Sequence, residues 1–226
     1  MTIITLVIGC AKDPSDGVQK VKIISAAKNI KLPPQKPTAA KPAKPTAEKP
    51  ARPTAAKATK VKLAGNIRFT GSKVTGSHFC DLKNSGGSLT LNGNDVTTGS
   101  FSFEAETGKL HCDKGARNDW TPKLEGHLAG TDFFWSEKYP KATFVSKSIV
   151  AKASPKSTHE ITGDLTLRGV TRTIVFAATI KADAKKVSGA VEFSINRKDF
   201  GIEYTNKADD LIRDNVVLKV ELSGTR

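Results

Sequence analysis

The sequence lacks the residue patterns that mark most enzymes and metal proteins. It contains neither a Gly-x-Ser-x-Gly elbow nor a Walker phosphate loop, and no pair of carboxylates that can be assigned to one site. The four histidines are spread along the chain, whereas zinc sites need closely spaced pairs of ligands. The sequence therefore predicts a protein that is not an enzyme and that has neither a metal nor a cofactor.

Long apolar runs are also missing, and cysteine is scarce. No run approaches the roughly twenty apolar residues that a membrane-spanning helix needs. One cysteine, Cys10, ends the short apolar stretch 6 to 10, which resembles a bacterial lipobox, but no Lys or Arg precedes it as in a full signal peptide. We expect residues 1 to 10 to be a lipoprotein-like signal segment with a lipid on Cys10; the alternative is a frayed apolar N-terminus.

Acidic residues are outnumbered, and the excess of positive charge is uneven. The chain has 36 Lys and Arg against 22 Asp and Glu, a net charge of +14, and residues 11 to 60 hold twelve of the basic residues against three acidic ones. A folded nucleic-acid reader would carry its basic patch on the domain itself. The distribution therefore argues against nucleic acid and favours a tail that is attracted to an anionic membrane surface.

Residues 36 to 59 repeat a Lys-Pro-Thr-Ala-like unit with a period of eight. Proline blocks both helix and sheet, and no residue of the unit can build a core. Residues 11 to 60 are therefore predicted to be a disordered basic Pro-rich linker that holds the following domain away from a membrane. The sequence further predicts that residues 1 to 60 contribute nothing to the fold.

From residue 61 to residue 226 the pattern is that of β-structure. Apolar residues alternate with polar ones in short runs that Gly, Pro, Asn and Asp separate. The last five runs predict the strands Ala142–Lys152, His159–Arg168, Thr173–Lys181, Gly189–Asn196 and Asn215–Ser223. No helical periodicity stands out. Counting 74 to 80 and 88 to 91 as one strand bent at Gly86-Gly87 gives an all-β, eight-stranded antiparallel lipocalin-like barrel.

Aromatic residues make up only 6% of the chain, yet four of them, Phe133, Phe134, Trp135 and Tyr139, lie within seven residues. Such a cluster is costly to leave in water. It indicates either a hydrophobic corner that closes the barrel, which we favour on the residues alone, or the wall of a cavity for an apolar ligand.

Several motifs resemble the YceI-like polyisoprenoid-binding family in order and spacing over about residues 61 to 224. They are Asp132-Phe133-Phe134, the stretches 139 to 144 and 163 to 171, the stretch Phe193 to Gly201, and Ile212-Arg213-Asp214. Trp135 and the segment 107 to 123 depart from the family pattern. The resemblance implies a bacterial protein of the periplasm or cell envelope, here a membrane-anchored lipoprotein, which binds or carries an isoprenoid lipid or isoprenoid quinone in its barrel. The alternative is a structural or stress-related envelope protein whose barrel is filled by its own side chains.

Under this interpretation the inward-facing apolar residues and the aromatic corner line the ligand site. They are Phe69, Phe101, Phe103, Phe133, Phe134, Trp135, Phe144, Leu165, Leu167, Phe176, Phe193, Ile195 and Leu218. The predicted inward face further includes Ile67, Leu89, Leu91, Ile174, Val191, Val216 and Val220.

Three arginines, Arg168, Arg172 and Arg197, are predicted to gather beside the aromatic corner, where guanidinium groups suit a phosphate head group. The alternative is that they form ion pairs with nearby acidic residues. Cys80 and Cys112 fall toward the same end and are expected to form a disulfide in an oxidising envelope; two separate buried thiols are the other possibility.

Overall fold

The computed structural model describes residues 11–26, 58–83, 85–205 and 211–226. Its strands are β1 Lys22–Ala26, β2 Ala58–Lys73, β3 Gly76–Leu82, β4 Gly86–Asn92, β5 Asp95–Glu106, β6 Leu110–Cys112, β7 Lys141–Ser154, β8 Ser157–Leu167, β9 Val170–Ala182, β10 Lys186–Asn196 and β11 Asn215–Thr225. A helix, α1 Thr121–Ala129, and a 3₁₀ helix, Arg197–Phe200, complete the elements. No helix in these described ranges is long and apolar enough to cross a membrane.

Eight strand positions close into an antiparallel barrel, as predicted. The order is β2, β4, β5, β7, β8, β9, β10 and β11, and β11 pairs back with β2. The five strands predicted from residue 142 onward all appear, with ends that differ by at most about three residues. We call the end of the barrel that holds residues 131 to 140, the β8–β9 turn and the 3₁₀ helix the corner end.

The predicted bent strand exists as two consecutive strands on one edge of β2. The pair Ile67↔Leu82 ends β3, and the next pair, Ala64↔Gly86, begins β4. Two residues of β2 therefore stand against three in the connection, the excess of one that defines a β-bulge. Together β3 and β4 occupy one strand position in the wall, which is why the barrel has eight positions.

The barrel interior is the hydrophobic core. Every residue predicted to face inward along the strands belongs to the core cluster, either buried or packed partly buried against it. The alternation of apolar and polar residues therefore identified the inward face correctly, since successive side chains of a strand point to opposite faces.

The first described residues overturn part of the predicted linker. Residues 11 to 26 pack on the barrel: β1 pairs antiparallel with β9, and the backbone N–H of Ala11 donates to the carbonyl of Val74. Strand β2 begins at Ala58, three residues before the predicted start of the domain at residue 61. The expectation that residues 1 to 60 contribute nothing to the fold is wrong for 11 to 26 and 58 to 60. Residues 27 to 57, with most of the repeat, lie outside the described residues.

Helix α1 was also missed by the sequence reasoning. Its nine residues include Pro122 and Gly126, and only Leu124 and Leu128 pack against the core. One apolar pair at i and i+4 is too little to reveal a helical period. The detectable signal lay at its start, where the Asn118 side chain accepts a hydrogen bond from the backbone N–H of Trp120 and Pro122 follows in the first turn.

Candidate functional site

The interior of the barrel contains a cavity of about 150 Å³. Its lining consists of aliphatic and aromatic residues with few polar exceptions, among them Thr143 and Ser188. The predicted ligand residues that line it are Phe101, Phe103, Phe144, Leu165, Phe176, Phe193 and Leu218. Because the surface of the cavity is almost wholly apolar, it offers water few hydrogen bonds and suits an apolar guest.

A belt of phenylalanine rings surrounds this cavity. Phe101 packs on Phe144 with ring centroids 5.8 Å apart, Phe144 on Phe176 at 5.5 Å, and Phe176 stacks on Phe193 at 4.8 Å. Phe103 joins the belt beside Phe101, 6.4 Å away. The rings come from β5, β7, β9 and β10 and reach each other only because each strand points alternate side chains inward.

One glycine makes room for the belt. A Cβ atom on Gly163 of β8 would stand 2.3 Å from the ring of Phe144 and 2.6 Å from the carbonyl oxygen of Val145. No side chain fits at position 163 while Phe144 holds its place. Glycine here therefore fixes the ring that forms one side of the cavity.

Six predicted ligand residues do not line the cavity: Phe69, Phe133, Phe134, Trp135, Leu167 and Ile195. They pack above it toward the corner end. Phe134 meets Phe69 edge-to-face at 5.4 Å, and Phe133 lies against Tyr204 at 5.3 Å. These contacts close the barrel from inside the corner end, so the interpretation of the aromatic cluster as a closing corner describes the structure better than a cavity wall.

The outer part of the corner rests on the β8–β9 turn. Trp135 and Tyr139 pack edge-to-face at 5.7 Å, and the Lys138 ammonium lies 4.3 Å from the centroid of the Trp135 ring. The Tyr139 ring covers Gly169, where a Cβ atom would come within 2.5 Å of it, and Gly169 has a φ of 74°. Only glycine satisfies both requirements without strain.

Arg197, for which a head-group role was predicted, turns its guanidinium toward backbone carbonyls. Its side chain is buried, and its guanidinium donates to the carbonyls of Ile202 at 2.6 Å, Arg213 at 3.2 Å and Ile212 at 3.3 Å. Burial lowers the pKa of Arg197, and the Asp214 carboxylate opposes that shift. Arg197 therefore ties the connection before β11 to the 3₁₀ helix.

Arg168 has a similar role. Its guanidinium donates to the carbonyl of Thr131 at 2.7 Å and to that of Gly201, so it joins the aromatic corner to the 3₁₀ helix. Arg172 donates to the carbonyl of the adjacent Thr171, and none of the three arginines lines the cavity. Arg168 and Arg197 lie at the corner end, where they donate to backbone carbonyls. Arg197 also forms an ion pair with Asp214 at 3.3 Å, as the alternative prediction of ion pairs with nearby acidic residues has it.

Cys80 and Cys112 are joined by a disulfide and stand directly opposite each other in the β3–β6 pairing. The Glu125 carboxylate of α1 accepts a hydrogen bond from the backbone N–H of Cys112 at 2.8 Å and pairs with Arg117. The hydrogen bond from Arg117 lowers the pKa of Glu125, against the opposing effect of burial. The hydrogen bond from Cys112 to Glu125 attaches helix α1 to β6, and the disulfide attaches β6 to β3. Cys10 lies outside the described residues.

The sequence reasoning did not assign fifteen further lining residues to the site. They are Leu63, Leu82, Val96, Ala105, Ala142, Thr143, Ile149, Ile161, Ala178, Ile180, Val187, Ser188, Gly189, Ala190 and Leu222. Most continue the same alternation, as Ala178 and Ile180 continue it from Phe176. The signal was present, but only some of the residues that carry it were assigned to the site.

Catalytic groupings do not emerge in the part of the chain that the structure describes. No cluster of three or more His, Cys, Asp or Glu residues there could hold a metal ion. His127 is hydrogen-bonded to Asp132 at 3.0 Å and packs its ring on Phe133, and His78 is hydrogen-bonded to Asp113 at 2.7 Å.

Comparisons with known proteins agree with this barrel. The chain is 34% identical over 139 residues to the UPF0312 protein of Pseudomonas fluorescens, covering 57% of this chain and 69% of that one. It is 34% identical over 116 residues to a UPF0312 protein of Pseudomonas putida, covering 46% of this chain, and spans only 59% of the length of that relative.

Two solved structures share the fold at low sequence identity. Burkholderia cenocepacia BcnA aligns with a TM-score of 0.59 at 20% identity, over 70% of this chain and 95% of that one. A polyisoprenoid binding domain from Saccharophagus degradans, implicated in plant cell wall breakdown, aligns with a TM-score of 0.55 at 16% identity, over 73% and 97%. Residues 54 to 224 match the YceI-like domain, and the chain belongs to the YceI-like family.

Proposed function

We propose that this protein binds a slender apolar molecule, an isoprenoid lipid or an isoprenoid quinone, in the cavity of its barrel. The observation that carries the proposal is the apolar cavity itself, ringed by five phenylalanines. Its membership of the YceI-like family and the polyisoprenoid binding domain among its structural neighbours support the same class of ligand.

The driving force is the removal of the apolar chain from water. Burial of the ligand stabilises the complex by about 25 cal/mol per Å² of apolar surface. Water in a cavity lined almost wholly by apolar atoms makes few hydrogen bonds and is readily displaced. A cavity of about 150 Å³ has room for about one or two isoprene units, since an engineered cavity of about that size takes up one benzene molecule. A longer chain therefore fits only if the phenylalanine belt or the barrel wall moves to enlarge the cavity.

The arginines have few hydrogen bonds left to offer to the head group of a ligand. Arg197 and Arg168 already donate to backbone carbonyls, so a phosphate would have to compete for them. We therefore expect an uncharged head, as in a polyprenyl alcohol or a quinone, to bind at least as well as a polyprenyl phosphate.

We further propose an envelope location with a lipid on Cys10. In support, Ala11 is held at the corner end by hydrogen bonds to Val74 and from Arg213. A lipid on the preceding residue would bring the corner end to the membrane surface. Residues 27 to 57 then connect two segments that both belong to the barrel, and they no longer separate the anchor from the domain.

A second candidate function is a structural barrel without a ligand. The small cavity and the closure of the corner end by Phe69 and Phe134 favour it. The two candidates differ in whether the native protein holds a guest.

Native mass spectrometry and lipid extraction of the chain purified from its own host separate them. We expect a bound apolar molecule and, in vitro, uptake of a polyprenyl alcohol and a quinone with no preference for a polyprenyl phosphate. A native protein without lipid that takes up none of the three probes supports the filled barrel instead.

A further inference from the structure

The barrel wall is incomplete between β9 and β10. The two strands pair only over Val187 to Ala190 and Thr179 to Ala182. Toward the corner end this pairing stops, although both strands continue to Val170 and Asn196. Directly behind the unpaired stretch stand Phe176 and Phe193, whose stacked rings line the cavity.

Residues 19 to 26 fill this gap. The side-chain amide of Gln19 accepts from the backbone N–H of Ala177 at 3.0 Å and donates to the carbonyls of Ala177 at 2.7 Å and Glu192 at 2.9 Å, and so replaces a peptide unit between the strands. Lys20 then bridges to Ser194 in parallel, and β1 pairs with β9 as far as Arg172.

This section of wall is held more weakly than its neighbours. With β10 it shares the bridge at Ser194 and the hydrogen bond from Gln19 to Glu192 rather than a continuous ladder, and its register against β9 shifts between Ile23 and Ser25. Val21 packs against the core, whereas Ile23 and Ile24 are exposed by 37% and 52%. A segment with little buried apolar surface opens at a lower free energy than the strands around it.

We propose that residues 19 to 26 are a displaceable section of the barrel wall, and that an apolar chain enters the cavity sideways through the β9–β10 gap when this section lifts. At the corner end the edge-to-face contact of Phe134 with Phe69 lies between the cavity and the outside, so entry there would have to separate these two rings. The identity of the guest rests on the proposed function, whereas the opening of the wall does not.

A disulfide lock tests the entry route. Lys22 and Val175 are directly paired across β1 and β9, so K22C/V175C in a Cys10→Ser background ties the section shut. S88C/S102C is the matched control, since these paired residues lie in the continuous β4–β5 ladder with hydroxyl oxygens 3.1 Å apart. With a dansyl-labelled farnesyl ether as the probe, we expect the association rate to fall at least tenfold in the first lock only. Equal rates in both locks and in the Cys10→Ser parent overturn the route.

A second measurement needs no ligand. The backbone N–H of Val21 donates to Ser194 and that of Ser194 donates to Gln19, so hydrogen exchange at these two amides reports the opening. We expect them to exchange at least tenfold faster than the amides of the β8–β9 ladder, and faster again in Gln19→Ala. Exchange at the same slow rate as that ladder overturns the inference. Fast exchange in a protein that takes up no probe leaves the opening standing and contradicts the proposed function.

Discussion

At the scale of single residues, the site depends on where glycine leaves room for a ring. Gly163→Ala would drive a methyl group into the Phe144 ring and the Val145 carbonyl. We expect the free energy of unfolding to fall by about 1 to 3 kcal/mol, the usual cost of overpacking. Gly189→Ala is the control because its added methyl meets nothing within 4 Å; it should leave stability unchanged or raise it slightly. Urea unfolding measures both, and equal losses would show that the Phe144 contact is not the cause.

Arg197 offers the second prediction at this scale. Arg197→Ala removes the donor from three backbone carbonyls in a buried site. We expect a loss of about 2 to 5 kcal/mol in the free energy of unfolding, partly restored in Arg197→Lys. Arg172→Ala should change stability little, because Arg172 donates to the carbonyl of the adjacent Thr171. A stable Arg197→Ala protein that loses only a phosphate-headed ligand would contradict this account and favour the head-group role.

At the scale of elements, the packing of residues 11 to 26 on the barrel depends on a titratable group, the carboxyl of Asp13. Burial would raise the pKa of Asp13, but hydrogen bonds from Ser15 and the charges of Arg213 and Lys20 lower it overall. A carboxyl with a lowered pKa stabilises the docked state above its ordinary value, about 3.9, and this contribution is lost as the pH falls through the docked value.

We therefore expect residues 11 to 26 to detach more readily as the pH falls below about 4. The exchange rate of the Val21 amide, corrected for intrinsic pH dependence, should rise relative to that of the β8–β9 ladder. In Asp13→Asn the relative rate should be the same across this range. If the exchange rate of the Val21 amide relative to the β8–β9 ladder is also constant in the wild type, Asp13 does not stabilise the docking of residues 11 to 26.

Strand β1 and helix α1, which the sequence did not reveal, are short and depend on the barrel for their stability. The five residues of β1 are continuous with a basic segment, and they form a strand only because β9 has an unpaired edge. Helix α1 is held by Glu125 and the disulfide next to it rather than by its own apolar face. Patterns within a segment cannot show contacts that the rest of the chain supplies.

At the scale of the whole molecule, the barrel and its inward face could be predicted, because every strand repeats the same alternation toward one core. Which inward residues surround empty space could not be predicted, since this depends on how rings such as Phe69 and Phe134 meet across the lumen. The partners of Arg197 were equally hidden, because backbone carbonyls have no signature in a sequence.

The N-terminal residues 11 to 26 occupy a position in the fold that the sequence did not suggest. Residues 11 to 26 precede residues 27 to 57 in the chain but belong to the barrel wall. With a lipid on Cys10, as proposed, the membrane surface would lie at the corner end of the barrel, where Ala11 is held.

The central claim, that the cavity takes up an apolar chain, is tested most directly by filling the cavity. Ala178 is buried and lines it, whereas Ala151 is exposed on β7. We predict that Ala178→Phe, if it unfolds in urea within about 1 to 3 kcal/mol of the parent, binds the dansyl-labelled farnesyl ether at least tenfold more weakly, a loss of about 1.4 kcal/mol. Ala151→Phe should bind as the parent does. A folded Ala178→Phe protein with unchanged affinity in the same fluorescence titration would contradict the claim.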